Sequence, residues 1–395
     1  MDRAILTINA GSSSLKFALF GSDLAPLASG LIDGLGTDPE FALKDASGVK
    51  ILVDHLEGSR YVANHAEALK VALEALSAHF PNLEIAAVGH RVVHGGMAFT
   101  DPVAVDEPIL VALEKLSPLA PLHQPHNIAG IRACRAVFGD VPQVACFDTA
   151  FHRAHPKVSD TFALPRSLYD EGVRRYGFHG LSYEYVSGRL AEIAPFHARG
   201  RVVICHLGSG ASLCATRGGL SVASTMGFSA LDGLPMGTRP GQLDPGVLLY
   251  LMSEKGMDAK AISDLLYKKS GLLGLSGVSN DMRDLLASDR PEAREAVEYF
   301  VSRVRREIGA MAAALEGVDA IVFTGGIGEN AAPIREMVLS GMAWIGVELD
   351  TARNQTGDLV ISSDRSRVRV FVIRTDEEKM IATHAREVTD AQSLG

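Results

Sequence analysis

Twice in this chain an apolar stretch breaks on a short glycine–serine turn and resumes as a second apolar stretch. Near the start the sequence reads LTINAGSSSLKFALF, from Leu6 to Phe20, and much later INAGSSSL is echoed by CHLGSGASL. Ala4–Ala10 and Lys16–Phe20 read as strands, as do Arg201–His206 and Ala211–Thr216, the last leading to the turn Arg217-Gly218-Gly219. The first turn lacks the G-x-x-x-x-G-K-[ST] spacing of a P-loop. The segment after it, Leu15 to Phe20, alternates like a strand, whereas a P-loop leads into a helix. The echo extends further. Asp319–Phe323 is a buried strand running into TGGIGEN and then a helix, and Ala86–Gly96 is its analogue in the first part. At 395 residues the chain is long for one core. It reads as two related α/β halves with a cleft between them.

Other segments fit this plan. Asn64–Phe80 has helical spacing and stops at Pro81, Ile85–Val88 is a short strand, and Pro108–Leu116 starts a helix. Pro121-Leu122-His123-Gln124-Pro125 forces a turn before a helix over Asn127–Phe138, and Val141–Phe147 is a strand ending at Asp148. Val368–Ile373 is a strand. Thr375-Asp376-Glu377-Glu378 then has the S/T-x-x-E form of a capping box, opening a last helix that returns to the first domain.

Composition narrows the function. A formal net charge of −9 argues against a nucleic-acid partner. The four cysteines, Cys134, Cys146, Cys205 and Cys214, form no C-x-x-C and read as buried, reduced thiols. No apolar run reaches membrane-spanning length and no secretory leader is visible, so a cytoplasmic address is expected.

Four glycine-rich turns, around Gly11, Gly95, Gly208 and Gly325, each come after an apolar strand. Glycine lets backbone approach a ligand closely, and clustered N–H groups there attract anions, the more so where a helix begins. Four such turns point to a polyphosphate site. Arg91 stands beside one of them, and Arg239 lies in a second glycine-flanked loop, Gly237-Thr238-Arg239-Pro240-Gly241. A guanidinium matches phosphate and carboxylate oxygens. His179 occupies the tight turn Gly177-Phe178-His179-Gly180, and His123 lies between prolines. Asp148 ends a strand, where ligands gather in α/β folds; its bland alternative is a cap for Thr149-Ala150-Phe151. Glu377 sits in a first helical turn, where an acidic residue is also favoured by the helix dipole. Asp148 and Glu377 are alternatively ligands for Mg²⁺. His90 and His94 stand four apart across a strand and a turn, which argues against a structural zinc.

Taken in order, LTINAGSSSLKFAL, GHRVVHGG, PLHQPHN, FDTAFH, YGFHG, HLGSGAS, MGTRPG, SNDMR, FTGGIGEN and TDEE resemble the acetate kinase family, from Leu6 to about Ala385. The resemblance implies an α/β fold of two duplicated actin-like (ribonuclease H-like) domains with a central nucleotide cleft. It implies residues 1–150 plus 376–395 on the acyl side, closed by the C-terminal helix, and 151–375 on the nucleotide side. It implies a homodimer that interconverts acetate and ATP with acetyl phosphate and ADP, using Mg²⁺ with Mn²⁺ as a substitute. It assigns Asn9 and Glu377 to the metal and Lys16 to the ATP phosphates. Arg91 would hold the acyl substrate's carboxylate or phosphate, with His123 beside the same site and Val93, Leu122 and Phe178 as the apolar lining. Asp148 is the family's catalytic aspartate, here expected to orient groups, since a carboxylate nucleophile needs no strong base. His179 and Arg239 would stabilise the phosphoryl group in flight. His206, Leu207, Gly208, Ser209 and Gly210 would line the nucleotide with Asp281, Met282, Arg283, Gly326, Ile327, Gly328, Glu329 and Asn330. Two departures stand out. Ser209 replaces the family's usual asparagine, and Ala230 replaces a proline expected near the acyl methyl group, which widens the pocket towards propionate. A propionate kinase is therefore the near alternative, and a non-catalytic actin-like nucleotide binder the distant one.

Overall fold

The first strand, β1 (Asp2–Ala10), is buried on both faces from Ala4 to Ile8, as befits a strand at the centre of a sheet covered on both sides. It turns through Gly11, whose N–H donates to the Ser14 carbonyl, into β2 (Ser14–Gly21). Ser12 of this turn lies outside the described residues, which are 2–11, 13–58 and 61–393 of a computed structural model. The chain divides into two units: Met1–Ala150 with Asp376–Gly395, and Phe151–Thr375.

In the first unit β2 continues into a meander of β3 (Pro26–Asp33), β4 (Glu40–Asp45) and β5 (Lys50–His55). The sheet is completed by β6 (Leu83–Val92), β7 (Val103–Ala104) and β8 (Gln143–Phe147), in the order β5-β4-β3-β2-β1-β6-β8-β7. One face buries Leu6, Ile8, Leu15, Phe17 and Val88 with the helices His65–His79 and Gln124–Phe138. The other face receives the C-terminal helix Glu377–Ser393 against β1, β6 and β8.

In the second unit β9 (Arg201–Leu207), β10 (Ala211–Arg217) and β11 (Leu220–Ser224) form an antiparallel meander. β12 (Ala320–Thr324) and β13 (Arg369–Val372) add in parallel, giving the order β11-β10-β9-β12-β13. β3-β2-β1-β6-β8 has the same order and the same antiparallel and parallel pairings. The duplication read from the two glycine–serine turns is thus a duplication of topology.

Three local readings need correction. The meander β3–β5 is absent from the sequence-based expectation. The helix after His123 begins at Gln124, ahead of Asn127, because Pro125 fits a first turn where no N–H donor is needed. The last helix is capped by Asp376, whose Oδ1 accepts from the Lys379 N–H at 2.9 Å. Thr375 Oγ1 instead meets Ser182 Oγ at 2.8 Å. All four cysteines are buried, and none is joined in a disulfide. Among the described residues no helix is long and apolar enough to cross a membrane.

Candidate active site

In the first unit the chemistry gathers where β1, β6 and β8 end and β2 begins. Asn9 and Lys16 are direct partners across the β1–β2 hairpin, so their side chains share a face. Both are more open than the apolar residues around them. Lys16 Nζ lies 2.5 Å from Glu378 Oε1. Near the end of β6, Arg91 Nε donates to both Asp148 oxygens at 3.1 Å, and Nη2 to Oδ2 at 2.6 Å. Asp148 is buried, and Arg91 Nη1 also lies 3.9 Å from Glu377 Oε2. Burial opposes the charge on Arg91, but Asp148 first and Glu377 next outweigh it, so its pKa rises above the ordinary guanidinium value. Asp148 therefore faces Arg91.

Val93 continues from β6, and its N–H donates to Asn127 Oδ1 at 3.0 Å. Asn127 Nδ2 in turn donates to the Ala10 carbonyl at 2.9 Å, which ties the β6 end to the β1 turn. Gln124 closes the neighbouring turn: its Oε1 accepts from the His94 N–H, and its Nε2 donates to the His94 carbonyl. Leu122 and His123 immediately precede this helix and are half-buried.

In the second unit His179 sits at the N-cap of the helix Gly180–Ile193 with φ +57, a left-handed conformation that costs a non-glycine residue on the order of 1–3 kcal/mol. Two contacts hold it. His152 Nε2 donates to the Phe178 carbonyl at 2.9 Å, and His179 Nδ1 meets Ser212 Oγ at 2.8 Å. Burial drives the His152 pKa down to about 3, so this ring is neutral and Nε2 carries its proton. Gly177 must be glycine: its φ is +78, and a Cβ would stand 2.5 Å from the His152 ring. Phe178 is buried.

The His179 ring stacks on His206, with centroids 4.3 Å apart. A Cβ built on Gly210 would lie 3.0 Å from Arg239 Nη2 and 3.1 Å from His179 Nε2. Two nitrogen donors therefore converge over one glycine at the β9–β10 turn. Arg239 Nη1 donates to the Ala230 carbonyl at 2.8 Å, a contact that does not depend on the residue-230 side chain. Ser209, likewise, uses its carbonyl to accept from Gly237 N–H at 3.1 Å.

Beside this turn lies a pocket of about 450 Å³ lined by Gly208, Ser209, Asp281, Met282, Arg283, Gly326, Ile327 and Asn330, with Asn280, Leu286 and Ala331. Of the sequence candidates, His206, Leu207, Gly210, Gly328 and Glu329 are not part of that lining. Glu329 Oε1 instead accepts from the Gly325 and Thr375 N–H groups at 2.9 and 3.1 Å. Asp281 caps the helix Met282–Ala287, and its carboxyl is held down to about 2 by Arg283. Arg335, which the sequence did not single out, is fully buried; its Nη1 donates to the carbonyls of Gly328 and Glu329 at 2.9 Å, fixing the end of the short helix that GGIGEN forms, Gly325–Asn330.

The fold and this chemistry together mark a phosphotransferase of the duplicated actin-like class, and comparison with known proteins narrows the class. Residues 4–383 match the family model described as the acetokinase family, and the chain belongs to that family, whose enzymes transfer a phosphoryl group to a carboxyl acceptor. It is 59% identical to the acetate kinase of Methylocella silvestris and 54% identical to that of Rhizobium meliloti. The first match covers 99% of both chains; the second covers 98% of this chain and 99% of the relative. Among solved structures, Porphyromonas gingivalis acetate kinase is 38% identical with a TM-score of 0.88, covering 98% of this chain and 99% of that one. A propionate kinase from Francisella tularensis is 37% identical with a TM-score of 0.91, covering 98% and 100%.

Proposed function

We propose that this chain reversibly transfers the γ-phosphoryl group of ATP to acetate, giving acetyl phosphate and ADP by in-line displacement. The observation that carries this mechanism is the convergence of His179 Nε2 and Arg239 Nη2 over Gly210, beside a glycine-walled pocket of nucleotide size. Such donors stabilise charge that spreads over the phosphoryl oxygens in transit. The pocket residues Gly208, Ser209, Asp281–Arg283, Gly326, Ile327 and Asn330 hold the nucleotide, and Lys16 exchanges Glu378 for a phosphate oxygen. Arg91 binds the acceptor carboxylate beside Val93, Leu122 and His123. Asp148, committed by three contacts to Arg91, orients that guanidinium and takes no proton. Acetate is already ionised at neutral pH and attacks without a base.

The donor set suits Mg²⁺. No group of three or more His, Cys, Asp or Glu side chains among the described residues forms a metal cage. Mg²⁺ characteristically takes one or two protein oxygens and completes its shell with water and phosphate. Asn9 and Glu377 would supply those oxygens, and Mg²⁺ (or Mn²⁺ in its place) would offset phosphate charge when bound.

The enzyme acts as a homodimer in the cytoplasm, without nucleic-acid or membrane partners. Support for the dimer comes from the helix Pro245–Ser253, PGVLLYLMS, which is almost wholly apolar yet buries none of its residues within the chain. A hydroxamate assay for acyl phosphate, run with ATP, Mg²⁺ and acetate, propionate or butyrate, tests the function. No acyl phosphate from any short acid refutes it. Near-normal turnover by Arg239→Ala or His179→Ala refutes the role given to that residue. Light scattering at a monomer mass refutes the dimer.

A further inference from the structure

The single proton on the Ser212 hydroxyl decides how the His179 ring is protonated. Ser212 lies on β10, fully buried, with Oγ 2.8 Å from His179 Nδ1 and 2.5 Å from Tyr183 Oη. Tyr183 stands one turn into the helix that His179 caps and is also fully buried. Burial raises its pKa well above the ordinary tyrosine value, so the hydroxyl keeps its proton. A buried hydroxyl left without an acceptor carries its whole desolvation penalty. Ser212 Oγ is the acceptor in reach, so Tyr183 donates to Ser212. Ser212 must then pass its own proton onward, and the remaining acceptor in reach is His179 Nδ1. With Nδ1 accepting, the ring proton sits on Nε2, the nitrogen that stands with Arg239 Nη2 over Gly210.

We propose that Tyr183 and Ser212 are positioning residues that lock His179 in its neutral Nε2–H tautomer, so that it meets the phosphoryl group as a hydrogen-bond donor. This rests on the role given to His179 above. The opposite tautomer would turn a lone pair towards the phosphate oxygens, where anion repels electron density. A doubly protonated ring would force both Nδ1–H and Tyr183 O–H onto Ser212 and leave the serine proton without an acceptor. Arg239, His206 and Ser212 stand against the ring, and Tyr183 stands behind Ser212. Arg239 is cationic and opposes a second proton on the imidazole. His206 fixes the ring plane by stacking, and its own Nδ1 is engaged by Ser182 Oγ at 2.8 Å. The backbone is held separately, by the His152 bond to the Phe178 carbonyl.

The test is the tautomer itself. In enzyme labelled with ¹⁵N-histidine, two-bond ¹H–¹⁵N correlation spectra assign the His179 ring by comparison with His179→Asn. The expected wild-type spectrum at neutral pH has a protonated Nε2 and an unprotonated, hydrogen-bonded Nδ1. Tyr183→Phe removes only the first donor; the Nδ1–H form appears, and kcat falls about 10-fold while KM for ATP and acetate stays within about 2-fold. Ser212→Thr keeps a hydroxyl and keeps the Nε2–H signature. A wild-type ring protonated on Nδ1, or on both nitrogens, overturns the proposal, and so does an unchanged tautomer in Tyr183→Phe. The wild-type spectrum decides the matter even if a variant does not fold. Full turnover by His179→Ala would instead overturn the role of His179 and leave the tautomer result standing.

Discussion

Replacing Gly210 by alanine isolates the two converging donors from everything else. Gly210 has no positive φ, so its backbone accepts alanine without strain. The new methyl group, however, meets Arg239 Nη2 at 3.0 Å and His179 Nε2 at 3.1 Å, with His179 Cε1 at 3.4 Å. Both nitrogens must retreat by a few tenths of an ångström to restore ordinary contact. Neither retreats freely: Arg239 is tied to the Ala230 carbonyl, and the His179 ring is held by Ser212 and by its stack on His206. Deleting one donor from a site of this kind costs about 100- to 1,000-fold in kcat, and displacing two without deleting either costs about 10- to 100-fold. That range corresponds to about 1.4–2.8 kcal/mol of transition-state stabilisation. Stability moves the other way, if at all. Alanine narrows the unfolded ensemble by about 0.4–1 kcal/mol, so Tm holds or rises by about 1–3 °C. The assay is initial-rate kinetics in both directions with thermal unfolding on the same preparation. Gly326→Ala is the companion variant. Its Cβ meets nothing within 4 Å, and Gly326 lines the pocket proposed to hold the nucleotide, so KM for ATP rises several-fold while kcat is kept. A kcat for Gly210→Ala within about 3-fold of wild type would refute the convergence argument. A Tm lowered by more than about 5 °C would refute the claim that the methyl group acts on the donors alone.

The first unit, the buried histidines and the acyl pocket each give a further expected outcome. Asp148→Asn keeps the shape but removes the charge facing Arg91, and should lower stability by about 1.5–3 kcal/mol and kcat/KM for acetate by at least about 100-fold, measured by urea unfolding and initial rates. His90, buried with Nε2 2.6 Å from Gln143 Oε1, has its pKa depressed to about 4 by desolvation, so it is neutral in the folded chain. Its contribution is complete above the unfolded value near 6.5 and is lost as pH falls towards 4, about 1.4 kcal/mol by pH 5.5. A His90→Asn variant whose stability falls as steeply as wild type between pH 7 and pH 5 would contradict this. Ala230→Pro should leave the Arg239 contact to carbonyl 230 intact and lower kcat/KM for propionate relative to acetate by about 5-fold or more, in the hydroxamate assay.

The features legible in the sequence and those hidden from it divide along a physical line. The duplication was legible because each half announces itself locally: an apolar strand, a glycine–serine turn, a second strand, and later a strand running into a glycine turn. The meander β3–β5 escaped because its apolar pattern is weak: β3 buries the small Ala28 and Gly30 beside Ile32, and β5 leaves Ile51 and Val53 exposed. The groups proposed to touch ligand were also legible, since Arg91, His179 and Arg239 all lie beside glycine turns where a long polar side chain has little else to do. The groups that hold them were not. Asn127 reaches the Ala10 carbonyl across 117 positions, Tyr183 reaches Ser212 across 29, and His152 reaches Phe178 across 26. No periodicity encodes a hydrogen bond between residues that only the finished fold brings together.

Arg335 is the sharpest case, because an arginine in a helical stretch reads by default as solvated surface. Here it is 1% exposed, with Nε on Asn354 Oδ1 and Nη1 shared between the Gly328 and Glu329 carbonyls. It faces neutral oxygens alone in these bonds, and burial lowers its pKa from the ordinary guanidinium value. A cation held this way is expensive to keep, and oxygens at the end of the short helix Gly325–Asn330 are what it serves. Those carbonyls carry the negative end of the helix, so a guanidinium there steadies its last turn, while the Glu329 carboxylate accepts from the Gly325 N–H at the other end. The supporting arginine and the Gly326 pocket wall are thus two ends of one short element. A substitution at Arg335 should therefore weaken ATP binding without touching the pocket. Arg335→Met, matched for length and free of charge, is expected to raise KM for ATP more than it lowers kcat; a variant that loses stability with KM unchanged would restrict Arg335 to packing.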